Sequence, residues 1–172
     1  FFKLKQYTAA KSLYENSLAV SKDVHGYYSH ETFSVLENLY AVSYALSHMQ
    51  ACASILEELI SIGRKVYGKE HIAVGTKLKL LVDIHMLETL DSSMLAYCLE
   101  LAREALSIWK KHNLTIELAR CCTTIGELEK QSGKLSVAQQ HFEDALDLLI
   151  PVLGTKHIEL LLPLQNLVLC FH

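Results

Sequence analysis

Small and large apolar residues recur along the chain at helical spacing. Ala138, Phe142 and Ala145 form a small–large–small row, and offsets of four and seven residues put such a row on one face of a helix. Three earlier segments have the same frame: Ala10, Tyr14, Ser17 and Leu18; Cys52, Leu56, Leu59 and Ile60; and Cys98, Ala102, Ala105 and Leu106. The first members of the four rows are spaced by 42, 46 and 40 residues. The small residues let neighbouring helices approach, and the large one fills the gap.

This periodicity predicts a chain of helices joined by short turns. Only 2 Pro and 7 Gly in 172 residues favour long helices over a sheet with many turns. The predicted helices cover 3–24, the pairs 30–46 with 49–67, 72–89 with 93–111 and 115–131 with 134–152, and a last helix from about 157. The predicted turns are Ser47-His48, Asp91-Ser92-Ser93 and Ser132-Gly133-Lys134.

A second motif has the same period. Glycine precedes a histidine in Gly26–His30, Gly68–His71 and Gly154–His157, and the glycines are spaced by 42 and then by 86, which is twice 43. A fourth copy is therefore expected near residue 111. Asn113 lies there, and asparagine tolerates the left-handed conformation that ends many helices. Self-similarity at a fixed period of this length indicates a solenoid.

The best-defined unit resembles the tetratricopeptide repeat. Ile125-Gly126 followed by Ala138, Phe142 and Ala145 is similar to that family's signature, in which Leu-Gly on helix A precedes Ala, Phe and Ala on helix B, and Pro151 lies close to the expected proline. The units here are about eight residues longer than the standard 34.

Longer units that open with glycine and histidine resemble kinesin light chain repeats. Glu37–Ala41 and Gln165–Val168 are similar to the Asn-Leu-Ala run in helix A of that family. The third unit departs, because Lys79–Leu81 replaces the run and residues 86–95 contain an insertion.

The resemblance implies an all-α fold, a right-handed tetratricopeptide superhelix of about seven to eight antiparallel helices. Residues 1–172 are expected to form a single solenoid. Its units are approximately 1–25 (helix B only), 26–67, 68–112, 113–153 and 154–172 (helix A only). Both ends are expected to continue into a longer protein.

Composition and charge narrow the classes of partner. Hydrophobic residues make up 51% of the chain and charged residues 20%, so a packed core is expected rather than disorder. The net charge is −3, and no basic excess points to nucleic acid or an acidic membrane surface. The longest apolar runs are interrupted before the ~20 residues that a membrane span requires. A cytoplasmic location is expected, with the nucleus as the alternative.

Candidate chemistry is sparse. The five cysteines contain no C-x-x-C pair, so buried reduced thiols are expected rather than disulfides or a zinc site. His30, His71 and His157 recur at the start of helix A, and recurrence indicates a residue that packs or caps the repeat junction. No phosphate loop, nucleophile elbow or dinucleotide fingerprint occurs. The sequence predicts no catalytic residue, no metal and no cofactor.

The resemblance implies that the A helices line a concave groove for peptides. Treating Gly126 and Tyr40 as equivalent gives the inward positions. They are Ser34, Glu37, Asn38, Ala41 and Tyr44 in one unit and Arg120, Thr123, Thr124, Glu127 and Lys130 in another. Lys79, Asp83, Gln165 and Asn166 are further inward positions, in units whose alignment is less well defined. Asparagine suits an extended peptide because its amide both donates and accepts hydrogen bonds. Some tetratricopeptide proteins bind chaperones through a ring of lysine and asparagine side chains. The inward positions of this chain do not reproduce that ring.

Three functions remain open. The first is a non-catalytic scaffold or adaptor that binds a protein or peptide segment. The second follows from another resemblance: Tyr67–Gly75 and the following Lys77–Leu80 look like the helical C-terminal domain of SET-and-MYND lysine methyltransferases. The third is self-association through the open ends of the solenoid.

Overall fold

Helices account for all the regular structure in the described part of the chain. The computed structural model describes the backbone of residues 2–171 and the side chains of residues 6–171. The helices are α1 (Phe2–His25), α2 (His30–Ala45), α3 (Met49–Val66), α4 (Ile72–His85), α5 (Ser92–Lys111), α6 (Thr115–Gln131), α7 (Leu135–Leu153), a 3-10 turn (Ile158–Leu160) and α8 (Leu161–Cys170).

Most predicted boundaries are correct to within two residues, and two are not. Helix α4 ends at His85 rather than at residue 89, and the regular part of the last helix begins at Leu161 rather than near residue 157. The chain after α4 turns back on itself through hydrogen bonds from the N–H groups of Leu87 and Glu88 to the carbonyls of Ile84 and His85.

The chain forms two compact units, Phe1–Glu88 and Thr89–His172. In the first unit α1 packs on α2, α2 on α3 and α3 on α4; in the second, α5 packs on α6, α6 on α7 and α7 on α8. The boundary between the units falls inside the segment 86–95, where the sequence indicates an insertion. The single solenoid over 1–172 and its unit boundaries stay predictions.

The recurring glycine positions end helices in a left-handed backbone. Gly68 has φ +96°, and Asn113, at the fourth copy of the motif, has φ +55°. An L-residue with a Cβ reaches this region only at a cost, which asparagine reduces by local hydrogen bonding. The prediction that Asn113 replaces glycine is therefore confirmed.

The recurring histidines are structural, as predicted. Nδ1 of His71 accepts the N–H of Ala73 at 3.1 Å, and Nδ1 of His157 accepts the N–H of Glu159 at 3.2 Å, so both cap the start of a helix. At α2 Ser29 is the cap, and His30 instead packs edge-on against the ring of Tyr67, with centroids 4.8 Å apart.

The core of each unit lies between consecutive helices. Ala138, Phe142 and Ala145 are fully buried, which confirms the small–large–small row in α7. Ala145 shares a cluster with Ala119 and Cys122 of α6. The row is less covered in α1, where Ala10 and Tyr14 are partly buried and Ser17 is exposed.

Candidate functional site

A polar and aromatic stripe runs along the exposed side of α2. Ser34, Asn38, Ala41 and Tyr44 are all exposed, and their spacing of four, three and three residues keeps them on one helix face. We call these four residues the α2 stripe. The sequence predicted all four as groove residues, and their exposure agrees with that prediction.

A cavity of about 480 Å³ opens at the C-terminal end of the α2 stripe, between α2 and α4 of the first unit. A volume of this order accommodates a large side chain or a small ligand. Its lining is mainly apolar, with one carboxylate: Tyr40, Ala41, Tyr44, Leu80, Asp83, Ile84 and Leu87. We call it the tyrosine pocket. Tyr44 is 51% and Leu87 62% exposed, so both stand at an accessible surface.

Two tyrosine rings and one carboxylate give the pocket its polarity. The rings of Tyr40 and Tyr44 have centroids 6.0 Å apart and are tilted by 33°. Burial, followed by the charges of Cys52, Tyr44 and Asp83, raises the pKa of Tyr40 to about 12. Tyr40 is therefore a neutral phenol near pH 7 and can donate a hydrogen bond. Oδ1 of Asp83 accepts from Nζ of Lys79, one turn earlier on α4.

Glu37, beside the α2 stripe, is engaged in an ion pair that joins α2 to α4. Nζ of Lys77 donates to Oε1 of Glu37 at 2.6 Å and lies 5.8 Å from the centroid of the Phe33 ring. The predicted groove residue Glu37 thus helps to hold two A helices together.

In the second unit Arg120, another predicted groove residue, also forms an ion pair. Its Nε and Nη2 donate to the two carboxylate oxygens of Glu159 at 3.0 and 2.6 Å. The hydrogen bond to Glu159 raises the pKa of Arg120, and the same contact lowers the pKa of Glu159. This fork-like pair is geometrically specific, but both partners are partly open to water.

Two of the predicted groove residues on α6 are buried, which corrects the prediction that they are exposed. Thr123 and Thr124 are each 5% exposed, and their hydroxyls donate back to the carbonyls of Ala119 and Arg120, both at 3.1 Å. Helix α6 packs directly on α8 as well as on α5 and α7. No accessible stripe therefore remains at Thr123 and Thr124.

Asn166, predicted as exposed, is also buried at 5% exposure. Its Nδ2 donates to Glu127 Oε1 and to the carbonyl of Leu162, both at 3.2 Å, and its Oδ1 accepts from Nζ of Lys130. Asn166 therefore contacts both Lys130 and Glu127. However, they meet in a junction between α6 and α8 rather than on a free surface.

Four lining residues of the tyrosine pocket were missed by the sequence reasoning: Tyr40, Leu80, Ile84 and Leu87. Tyr40 served only as a reference point for the alignment of the repeats, and the sequence analysis assigned no binding role to the other three. No residue pattern indicates the pocket, because it depends on the end of α4 at His85, which leaves Leu87 in a turn.

Metal ligands and cysteine thiols are two kinds of reactive group. Between residues 6 and 171 no group of three or more His, Cys, Asp or Glu side chains is placed to hold a metal ion. Burial raises the pKa of Cys98 to about 11, and burial with the nearby Asp144 does the same for Cys122, so these thiols are poor nucleophiles at neutral pH. Among the helices described, none is long and apolar enough to cross a membrane.

The sequence matches no protein-family model and no curated protein. Solved structures do match the fold. A putative kinesin light chain from Podosopora anserina with nearly identical TPR-like repeats is 15% identical, with a TM-score of 0.76, over 97% of this chain and 78% of that one. A one-residue variant of the same protein is 16% identical over the same shares of both chains, with a TM-score of 0.78.

A third structure is BtubC (BKLC) from P. vanneervenii, 17% identical with a TM-score of 0.71, over 89% of this chain and 60% of that one. At these identities the likeness concerns the fold alone. It confirms the predicted all-α, tetratricopeptide-like repeat fold of the kinesin light chain kind. The resemblance to SET-and-MYND methyltransferases gains no support from these structures.

Proposed function

We propose that this protein is a non-catalytic scaffold that binds a peptide segment of a partner along the α2 stripe, with one peptide side chain in the tyrosine pocket. The observation that carries the proposal is the pocket itself. It is largely apolar, about 480 Å³ in volume, and lies at one end of an exposed stripe of peptide-compatible residues. Concave apolar sites with a few polar groups are the usual form of binding sites.

The lining of the pocket indicates the chemistry of the peptide side chain. Leu80, Ile84 and Leu87 favour an aliphatic or aromatic group, while the faces of Tyr40 and Tyr44 and the carboxylate of Asp83 favour a nearby positive charge. We therefore expect the bound segment to combine a large apolar residue with an adjacent lysine or arginine.

Asn38 is the proposed backbone contact. It lies three residues before Ala41 on the same exposed face of α2, and its amide offers both a donor and an acceptor to an extended peptide. The equivalent residue in α6, Thr124, is buried, so we assign the peptide contact to the first unit.

Selection from a random peptide display library, followed by titration, tests this proposal. The selected peptides should share the apolar–basic pair. Ala41→Arg places a long cationic side chain at the pocket, so it should weaken binding by about tenfold or more while leaving the melting temperature unchanged. Gln140→Ala, an exposed change on α7, is the matched control and should bind as the parent does. If Gln140→Ala weakens binding and Ala41→Arg does not, the functional face is misassigned.

A further inference from the structure

Two lysines of α4 form ion pairs of different kinds. Nζ of Lys77 reaches across to Glu37 of α2 at 2.6 Å, so this pair joins two helices. Nζ of Lys79 contacts Oδ1 of Asp83, four residues later on the same helix. The second pair therefore lies within one helix, and it engages the carboxylate that lines the tyrosine pocket.

The order of the residues in the Lys79–Asp83 pair argues against a role in helix stability. An ion pair between residues four apart stabilises a helix better when the acidic residue comes first, and here the lysine comes first. Neither side chain is fully buried, and pairs that remain in contact with water contribute little. Loss of Lys79 should therefore change the stability of the fold only slightly.

The two side chains differ in how far a ligand can reach them. The side chain of Asp83 is 47% exposed, whereas that of Lys79 is 18% exposed. The carboxylate is thus accessible from the pocket, while neighbouring residues cover most of the lysine stem and restrict its movement away from Asp83. A ligand in the tyrosine pocket therefore meets a carboxylate that already has a partner.

Lys79 weakens the contact of a second cation with Asp83 in two ways. Its positive charge offsets that of the carboxylate and repels another positive group nearby. Its contact also occupies Oδ1, one of the two oxygens that a ligand could use.

The occupied oxygen affects arginine more than lysine. A lysine ammonium is a compact charge that can pair with a single carboxylate oxygen. A guanidinium binds a carboxylate most strongly when it donates two parallel hydrogen bonds, one to each oxygen. While Lys79 holds Oδ1 of Asp83, that two-pronged contact is blocked.

We infer that Lys79 is a specificity-determining residue of the tyrosine pocket, because it suppresses the preference for arginine that Asp83 alone would give. The pocket therefore accepts a lysine of the bound segment as readily as an arginine. This inference rests on the peptide binding proposed above and names the residue that sets its selectivity.

Three versions of one peptide test the inference. A peptide selected from the display library is synthesised with lysine, arginine or norleucine at its basic position. Each version is titrated by calorimetry into the parent and into Lys79→Met, since methionine keeps an apolar stem and removes the charge. The parent should bind the lysine and arginine versions with affinities within about twofold of each other.

The variant should separate the three peptides. Lys79→Met should bind the lysine version about twofold to fivefold more tightly than the parent does. The gain for the arginine version should be larger, because both oxygens of Asp83 become available to the guanidinium. The affinity of the norleucine version should not change.

Lys65→Met is the matched control, because it removes an exposed lysine of α3 with the same change in net charge. It should bind all three versions as the parent does, and both variants should keep the melting temperature of the parent. Equal gains for lysine and arginine in Lys79→Met overturn the inference, and so do unchanged affinities or equal gains in Lys65→Met. The proposed function survives each of these results, whereas a parent that binds none of the peptides overturns both.

Discussion

Gly126 of α6 lies against the ring of Phe142 of α7, so closely that a Cβ on residue 126 would be 2.6 Å from Cε1 of Phe142. Real Cβ atoms do not approach this near, so the absence of a side chain at position 126 sets the separation of the two helices. The glycine of the repeat signature and the phenylalanine sixteen residues later are thus one packing unit.

Gly126→Ala should destabilise the second unit. The added methyl group displaces the Phe142 ring, and overpacking of this kind costs about 1–3 kcal/mol, more than the ~1 kcal/mol that alanine gains over glycine in a helix. Urea unfolding measures the loss. Gly63→Ala is the control, because its nearest neighbour is the edge of Phe33 at 3.2 Å, and the loss there should be smaller. Equal stability of Gly126→Ala and the parent would mean that α6 and α7 pack differently.

Asn113 should tolerate glycine and resist branched residues. Its φ of +55° is left-handed, a conformation that costs L-residues about 1–2 kcal/mol. Asn113→Gly should change the free energy of unfolding by less than about 0.5 kcal/mol, whereas Asn113→Val should lower it by about 1–2 kcal/mol. Thermal melts of the two variants distinguish these outcomes, and a harmless valine would contradict the left-handed helix end.

Glu129 should make stability depend on pH. Its side chain is 1% exposed, and it accepts from Arg103 Nη2 at 2.7 Å and pairs with Lys134 Nζ at 3.1 Å. Burial alone would raise its pKa, but the contacts with Lys134, Ser132 and Arg103 outweigh burial and lower the pKa. A carboxyl with a lowered folded-state pKa adds stability above its ordinary pKa, and this stability is lost as the pH falls through the folded value.

Between pH 7 and pH 3 the parent should therefore lose more stability than the Glu129→Gln variant does. These limits bracket the ordinary glutamate pKa of about 4.3. Urea unfolding at both pH values measures the difference. The matched control is Glu57→Gln, at an exposed position of α3, which should follow the parent. A Glu129→Gln variant with the parent's full pH dependence would contradict the assigned pairing.

The repeat type could be predicted from the sequence, because most helix ends, the small–large–small row and the left-handed conformation of Asn113 follow from local residue chemistry. The exposure of the predicted groove positions was only partly predictable. Ser34, Asn38, Ala41 and Tyr44 are exposed as the framing predicts. Thr123, Thr124 and Asn166 are not, because their exposure depends on how closely consecutive A helices approach. That spacing is a tertiary property, and position within the repeat does not encode it. The tyrosine pocket was missed for the same reason.

Asp83 should select for the basic residue of the bound peptide. Asp83→Asn should weaken a selected peptide that contains lysine or arginine by a few-fold, because an ion pair to a half-exposed carboxylate that Lys79 already contacts is worth about 0.2–1 kcal/mol. It should leave the norleucine analogue of that peptide unchanged. Calorimetric titration of both peptides into the parent and into Asp83→Asn isolates the interaction energy between Asp83 and the basic side chain of the peptide. Asp23→Asn, an exposed carboxylate change on α1, is the control. Equal weakening of both peptides would place the basic residue away from Asp83.

Methyl-labelled NMR of the chain with a selected peptide tests the peptide-binding claim most directly. The pocket supplies methyl groups from Ala41, Leu80, Ile84 and Leu87, and Val152 on α7 supplies an exposed reference. Binding at the tyrosine pocket predicts that the largest shifts on titration occur at the four pocket residues and that Val152 does not move. Unmoved pocket methyls at saturation, with the largest shifts elsewhere, would contradict the account.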